Sequence, residues 1–275
     1  MKPMLESASP KSQRSRFLNA SLLALTTASI TLLASSAMAG DGRIEINQAR
    51  ALAGGISPTD GPGFPISLEG NQSYVLTSDL DTGGSSGLTA SGALGTRDNI
   101  TIDLNGFSLR GDPGSATTGI NVTGGNIEIK NGTVSDFGGR GLLLQTSGRH
   151  IVRNLRVIEN GQTGIQSNGS AVITDCFVQS NGGDGIQTGS SSYVARNRVS
   201  SSGVVGIDMS SSGLAEGNLI INGSTTEPAL DMGSSANGFS SGYRNNLING
   251  VNAGGTVTGG NDMGGNLCNG STTCP

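Results

Sequence analysis

The sequence feature that most constrains the fold is a repeat of 21 to 23 residues between Gly119 and Leu230. A small residue precedes an aliphatic residue six times, at Gly119-Ile120, Gly141-Leu142, Gly164-Ile165, Gly185-Ile186, Gly206-Ile207 and Ala229-Leu230. A second aliphatic position keeps the same spacing, at Val134, Val157, Val178, Val199 and Ile220. Repeats of this length are typical of solenoids, in which each repeat forms one coil and packs on its neighbours.

The residues between the repeated positions indicate β-structure. Each aliphatic run is only a few residues long, and Gly, Ser and Asn fill the gaps, as in 180–183 and 200–203. Short β-rich runs separated by turn residues predict strands and corners. A leucine-rich repeat has a similar length but needs a dense framework of leucines, which this sequence lacks. We therefore predict an all-β fold, a parallel β-helix with about three short strands per coil.

The repeat resembles the right-handed parallel β-helix proteins of the pectate-lyase-like superfamily, in particular its small secreted bacterial members. The matching segments are 182–186 and 194–199, and residues 100–107 resemble an early coil of these proteins. The resemblance covers roughly residues 73–250 and implies a right-handed solenoid of about seven to nine coils. Because this superfamily includes lyases, hydrolases, epimerases, tailspikes and adhesins, the resemblance implies the architecture and leaves the activity open.

Residues 1–39 have the composition of a signal peptide. Four basic residues precede an uncharged, apolar stretch over 17–37, which ends in Ala37-Met38-Ala39. Cleavage after Ala39 would export the protein to the periplasm, the cell surface or the extracellular space and leave no transmembrane segment. The alternative is an uncleaved membrane anchor, which the many Ser and Thr residues and the Ala-x-Ala end disfavour.

The charge of the exported form restricts its partners. The whole chain has 16 Lys and Arg and 20 Asp and Glu; without residues 1–39 there remain 12 basic and 19 acidic residues, a net charge of −7. Nucleic acid and anionic membrane surfaces are therefore predicted to be poor partners. An acidic polysaccharide would also be repelled unless cations bridged it, whereas the net charge leaves other polysaccharides open as partners. The sequence leaves the oligomeric state open.

We predict three segments after the signal peptide: an N-terminal cap over 40–72, the β-helix over 73–250 and a C-terminal tail or cap over 251–275. Apolar residues at helical spacing over Ile44–Leu52, followed by Gly54-Gly55, predict a short amphipathic helix. A solenoid needs a cap because its terminal coil would otherwise expose the core. We interpret this helix as that cap.

The three cysteines have different predicted roles. Cys268 and Cys274 enclose five residues near the C-terminus, and export permits a disulfide between them. Cys176 occupies a repeat position also held by Leu155, Asn197 and Asn218, which we expect to point inward. We predict that Cys176 is a buried free thiol and that the asparagines form an internal ladder of hydrogen bonds between coils.

The candidate functional residues form one outward column. If the aliphatic residues of the first repeated phrase fill the core, the residues that follow them face solvent. These are Asn121, Leu143, Gln166, Gln187, Asp208 and Asp231. We select the last four as candidate substrate-binding residues and the two aspartates as candidate catalytic residues and calcium ligands. Two carboxylates on adjacent coils repel each other, which favours a bound cation or a shared proton, and a close acid pair also suits a glycosidase.

Several alternatives remain open at this stage. One alternative is that the column is a solvated strand face that protects the sheet from aggregation. Asp184, in a turn, is interpreted as a cap of local amides, and His150, the single histidine, as a residue on a different side from Asp208. Phe107, Phe137 and Phe177 are interpreted as core or turn packing, so no aromatic surface for sugar rings is predicted.

Two functions follow from these observations. The first is an exported, non-catalytic solenoid of the surface, envelope or extracellular space, favoured by the scarcity of Lys, His and aromatic residues. The alternative is a carbohydrate-active protein, a polysaccharide lyase, hydrolase or glycan-binding module, that uses the strand face around Asp208 and Asp231.

Overall fold

The structure, a computed structural model, describes residues 42–92, 95–146, 148–224, 226–233, 240–250 and 256–274. The predicted signal peptide, 1–39, lies outside these residues. Among the residues described, no helix is long and apolar enough to span a membrane. The elements, in chain order, are β1 (Ile44–Ile46), α1 (Gln48–Ala53), β2 (Ile66–Ser67), β3 (Ser73–Leu76), β4 (Leu80–Asp81), β5 (Leu88–Ala90), β6 (Ile100–Asp103), β7 (Ser108–Arg110), β8 (Ile120–Val122), β9 (Ile127–Ser135), β10 (Leu142–Leu144), β11 (His150–Ile158), β12 (Ile165–Ser167), β13 (Ala171–Thr174), β14 (Phe177–Gln179), β15 (Ile186–Thr188), β16 (Tyr193–Ala195), β17 (Arg198–Ser200), β18 (Ile207–Met209), β19 (Leu214–Glu216), β20 (Leu219–Asn222), β21 (Leu230–Asp231), β22 (Gly242–Arg244), β23 (Leu247–Gly250), β24 (Val257–Thr258), β25 (Asn261–Asp262) and β26 (Leu267–Cys268).

The strands form a right-handed parallel β-helix of about eight coils. One sheet has nine strands: β2, β5, β8, β10, β12, β15, β18, β21 and β24. The other has seventeen strands and consists of two arms, because β9 and β11 run continuously from one arm into the other. The first arm contains β13, β16 and β19, and the second arm contains β14, β17 and β20. Each full coil thus contributes three strand positions, as the sequence predicted.

The core is a set of aliphatic files that run along the axis. Ile165, Ile186 and Ile207 pair in register in the nine-stranded sheet, and all three are completely buried. Val178 and Val199 form a second such file in the second arm. The two repeated aliphatic positions of the sequence are therefore two internal files, and the predicted stacking is confirmed.

The glycine of the repeated phrase is required by the close approach of adjacent coils. A Cβ atom at Gly164 would lie 2.8 Å from the carbonyl oxygen of Gly185, and one at Gly185 would lie 2.6 Å from that of Gly206. These contacts are too short for a side chain without movement of the main chain. The repeated small-aliphatic pair therefore marks the corner at which the chain enters the nine-stranded sheet.

The parallel pairing extends beyond the predicted range of 73–250 at both ends. Ile44–Ile46, predicted as helix, forms β1 and pairs with β3, and the helix itself comprises Gln48–Ala53. The alternation of buried and half-buried residues in β1 fits a strand, which the helical pattern obscured because the two segments are adjacent. At the other end, β24, β25 and β26 lie within the predicted tail and continue both sheets.

Side chains of the N-terminal segment occupy the outer strand edges. Asp60 accepts hydrogen bonds from the main-chain N–H groups of Ile56 (3.1 Å) and Ser67 (2.9 Å), and the Ser57 hydroxyl donates to the carbonyl oxygen of Ser67 (2.7 Å). At β4, the side-chain amide of Gln48 forms hydrogen bonds with the main-chain N–H and carbonyl groups of Asp81. These contacts satisfy main-chain groups that would otherwise lack a strand partner.

The predicted asparagine ladder is present and longer than expected. Asn197, Asn218, Asn246 and Asn266 are buried, and each of the first three donates both its main-chain and side-chain N–H to the amide oxygen of the next. Cys176 donates its main-chain N–H to Asn197 at the start of the ladder. Burial raises the pKa of the Cys176 thiol to about 12, which makes it unreactive.

The C-terminal cysteines are placed together. The structure has Cys268 and Cys274 bonded, with 5.2 Å between their Cα atoms, and Cys268 also forms an antiparallel bridge with Ser271. This segment covers the outer edge of β26. The pairing of these cysteines in the purified protein stays a prediction that can be tested by counting thiols.

Candidate functional site

The four candidate residues of the sequence lie in one file on the nine-stranded sheet. Gln166 pairs in register with Gln187, Gln187 with Asp208, and Asp208 with Asp231. All four are half-buried, between fully buried neighbours on each strand. With about 4.8 Å between coils, the four side chains span about 14 Å. We call these four residues the polar file.

Asp208 has the most perturbed environment within the polar file. Its Oδ2 atom accepts a hydrogen bond of 2.9 Å from the side-chain amide of Gln187. Burial raises the pKa of the Asp208 carboxyl above its ordinary value, and the charge of Asp231 raises it further, against the opposing effect of the Gln187 hydrogen bond. Asp231 is turned toward its own loop, where its Oδ1 accepts from the main-chain N–H of Gly233 at 2.9 Å.

Asp184 joins the acidic end of this site, although the sequence indicated only a local cap. Its carboxylate is buried and accepts a hydrogen bond of 3.0 Å from the main-chain N–H of Val205, which belongs to the next coil. Burial raises the pKa of Asp184, and the nearby charges of Asp208, Glu227 and Asp231 raise it further, against the Val205 hydrogen bond. Three neighbouring acidic groups therefore act on the Asp184 carboxyl.

Arg140 lies at the opposite end of the polar file. Its guanidinium donates to the side-chain oxygen of Gln166, whose amide nitrogen in turn donates to Asn168 at 3.1 Å. Arg140 therefore binds two coils away from Asp208, and no cation of the described residues forms an ion pair with Asp208 or Asp231.

A sequence signal for Arg140 and Asp184 exists. Both residues directly precede the repeated small-aliphatic phrase, and hence both stand at the corner where the chain enters the nine-stranded sheet. The column on the strand itself was evident from alternation. The side-chain direction of Arg140 and Asp184 could not be predicted in this way, because turn residues have no fixed alternation and their direction depends on the tertiary structure.

The described residues do not fit a resident calcium ion at Asp208 and Asp231. They contain no group of three or more His, Cys, Asp or Glu side chains arranged to hold a metal. Calcium requires six to eight oxygen ligands, and one oxygen of each of these aspartates is already engaged by Gln187 or Gly233. We therefore assign no metal to this site.

His150 lies elsewhere, at the start of β11 in the first arm. It is buried, and its Nε2 atom lies 3.2 Å from the carbonyl oxygen of Thr146. It borders a cleft of about 410 Å³ together with Glu128, Ile151, Val172 and Tyr193. The sequence-based expectation that His150 is separate from Asp208 agrees with this placement.

Phe177 was predicted in the core or in a turn and is instead on an outward strand position. It is half-buried, and the guanidinium carbons of Arg156 and Arg198 lie 5.2 Å and 5.8 Å from its ring centre. The two guanidinium groups lie over the ring, which explains how an aromatic side chain is accommodated on the surface.

Comparison with known proteins agrees with this architecture. Residues 118–268 match the profile of the family described as the right-handed beta helix region. The chain belongs to the right-handed β-helix family. No curated protein matches the sequence significantly. Among solved structures, the fold of this β-helix protein is similar to the A-module of the mannuronan C-5 epimerase AlgE4 from Azotobacter vinelandii. The TM-score is 0.54 and the identity 14%, over 82% of this chain and 77% of that one. At this identity the similarity concerns the fold.

Proposed function

We propose that this β-helix is an exported, non-catalytic protein that binds a glycan through the polar file. The observation that carries the proposal is the in-register line of two amides and two carboxylates, half-buried and joined by the hydrogen bond from Gln187 to Asp208. From fixed positions, carboxylates accept hydrogen bonds from sugar hydroxyls, and side-chain amides both donate to them and accept from them. The fold it shares with a module that acts on mannuronan supports a polysaccharide as the ligand class.

The charge of the site favours a neutral glycan. Asp184, Asp208 and Asp231 form an acidic end that would repel uronate carboxylates, because Arg140 lies at the other end and is occupied by Gln166. The absence of aromatic side chains from the polar file predicts modest affinity, since stacking on sugar rings is missing. The proposed export rests on the composition of residues 1–39.

The test is calorimetric titration of neutral and acidic oligosaccharides into the purified protein, without and with calcium. We expect heat with a neutral glycan, lost in the double variant Asp208→Asn/Asp231→Asn. A matched control, Glu45→Gln/Glu159→Gln, removes two negative charges from outside the polar file and should bind like the wild type. Equal heats for the wild type and the Asp208/Asp231 variant would leave the polar file a solvated strand face.

A second candidate, hydrolysis of the glycan, is favoured by the different environments of the two aspartates. A pKa raised at Asp208 suits a general acid, and a neighbouring carboxylate suits a nucleophile or base. Incubation of each bound glycan followed by analysis of reducing ends separates the two functions. Product formation that depends on Asp208 supports the enzyme, and binding without product supports the binding module.

A further inference from the structure

The second arm of the seventeen-stranded sheet carries an outward file that begins with basic residues and ends with leucines. Strand pairing places its members in register, in the order Arg156, Phe177, Arg198, Leu219, Leu247 and Leu267. Five coil rises of about 4.8 Å make it about 24 Å long. We call it the Arg–Leu file. It lies on a different sheet from the polar file.

The two arginines of this file differ from other arginines of the seventeen-stranded sheet and its turns. Arg153, Arg196 and Arg244 each form an ion pair with a carboxylate at 2.8 to 2.9 Å. Arg156 and Arg198 are exposed, and within the part of the chain described the Phe177 ring is the only partner of either guanidinium group. A guanidinium stacked on a ring keeps its N–H groups, at the edge of its plane, available for oxyanions.

The opposite end of the file is apolar and accessible. Leu247 and Leu267 are each 39% exposed, Leu219 is half-buried, and Ile221 on the adjacent outward position of β20 is 37% exposed. Exposed aliphatic residues in line on a strand face are an aggregation hazard, which proteins normally interrupt with charges. A contiguous apolar surface next to unpaired cations instead indicates an interaction site.

We propose that the Arg–Leu file docks on the surface of a lipid bilayer that carries anionic headgroups. Arg156 and Arg198 would bind the phosphates, and Leu219, Leu247 and Leu267 would enter the interface between headgroups and acyl chains. Both halves of the file are used only by a partner with anionic and aliphatic parts. A soluble polyanion would not contact the leucines, and an apolar protein surface would leave the arginines without partners.

The net charge of −7 predicted for the exported form argued against binding to anionic membranes. The distribution of charge reverses this argument at the Arg–Leu file, where the exposed charges are basic. At physiological salt, charges are screened over about 8 Å, so the residues that face the bilayer dominate at contact. Asp175, the carboxylate two residues before Phe177, is neutralised by Arg196 at 2.8 Å. Binding of this kind is peripheral and reversible.

The arginines are tested by co-sedimentation of the purified protein with vesicles of phosphatidylcholine, with and without phosphatidylglycerol. We expect binding that requires phosphatidylglycerol and weakens with added salt. Arg156→Ala/Arg198→Ala should reduce it roughly tenfold or more, from the contribution of each basic residue near an anionic surface. The control Arg153→Ala/Arg244→Ala changes the net charge equally on the first arm and should bind like the wild type.

The leucines are tested in the same assay. Leu247→Ser/Leu267→Ser should weaken binding even at low salt, whereas Ile151→Ser/Val172→Ser, which alters residues of similar exposure on the first arm, should not. Circular dichroism confirms that each variant is folded. The proposal is overturned by a lack of binding to anionic vesicles or by equal losses in the control variants. It is also overturned by a dimer in light scattering that the leucine changes dissociate, since the face would then belong to a second copy.

Discussion

The side-chain amide of Gln48 forms two hydrogen bonds with the main chain of Asp81. Its oxygen accepts from the Asp81 N–H at 2.9 Å, and its nitrogen donates to the Asp81 carbonyl oxygen at 3.0 Å. On its other side β4 pairs with β7. One glutamine side chain therefore takes the place of a neighbouring strand at the first edge of the second arm.

Gln48→Ala should expose that edge. We expect a loss of about 1 kcal/mol in the free energy of unfolding, because the Asp81 groups then bond to water, together with association at high protein concentration. Urea denaturation and analytical ultracentrifugation measure the two effects. Gln179→Ala, which shortens the same type of side chain on an interior strand, should associate no more than the wild type does.

Asn218→Ala should destabilise the protein much more. The Asn218 side chain accepts two hydrogen bonds from Asn197, at 2.9 and 3.1 Å, and donates one to the Val194 carbonyl oxygen at 2.9 Å. Its removal leaves buried polar groups without partners, and we expect a loss of about 3 kcal/mol. Asn249→Ala, on an outward position of β23, should cost less than about 0.5 kcal/mol in the same denaturation experiment.

Asp208→Asn should stabilise the fold at neutral pH. Because burial raises the pKa of Asp208 in the folded state, the folded state binds the proton more tightly than the unfolded state, and ionisation at pH 7 opposes folding. This cost is relieved as the pH falls through the raised pKa and is absent below the ordinary value of about 4. Melting temperatures of the two proteins should therefore differ at pH 7 and converge at low pH. A constant difference would contradict this account.

His150 should make the stability depend on pH in the opposite direction. Burial lowers its pKa, against the raising effect of the Thr146 carbonyl, so the folded state resists protonation. Its contribution is present above about pH 6.5, the ordinary value, and is lost as the pH falls toward the lowered value. Since the chain has one histidine, His150→Leu should flatten the stability profile over this range. A wild-type slope that persists in the variant would assign the effect to carboxylates.

Thiol counting tests the cysteine pairing. In denaturant without reductant, the protein should react with one equivalent of a thiol reagent, at Cys176, while Cys268 and Cys274 remain joined. In native buffer Cys176 should react very slowly, because it is buried and its pKa is raised to about 12. Three reactive thiols in denaturant would show that the pair is reduced.

Much of the fold could be predicted from the sequence because each coil repeats the same local requirements. Gly185 is needed for the approach of the next coil, and Ile186 fills an internal file, so their spacing determines the register of the nine-stranded sheet. The positions of Asp208 and Asp231 in one outward file follow directly, since side chains on a strand alternate between its faces.

Only the tertiary structure placed the groups outside these strands. The contacts of Arg140 and Asp184 depend on the direction of corner residues, which has no sequence period, and the strand edge closed by Gln48 lies 33 residues away from it. Phe177 was misplaced because an aromatic residue normally enters the core, whereas here Arg156 and Arg198, each one coil away, cover the ring. The periodic sequence determined which residues stack, and the path of the turns decided which side chains meet.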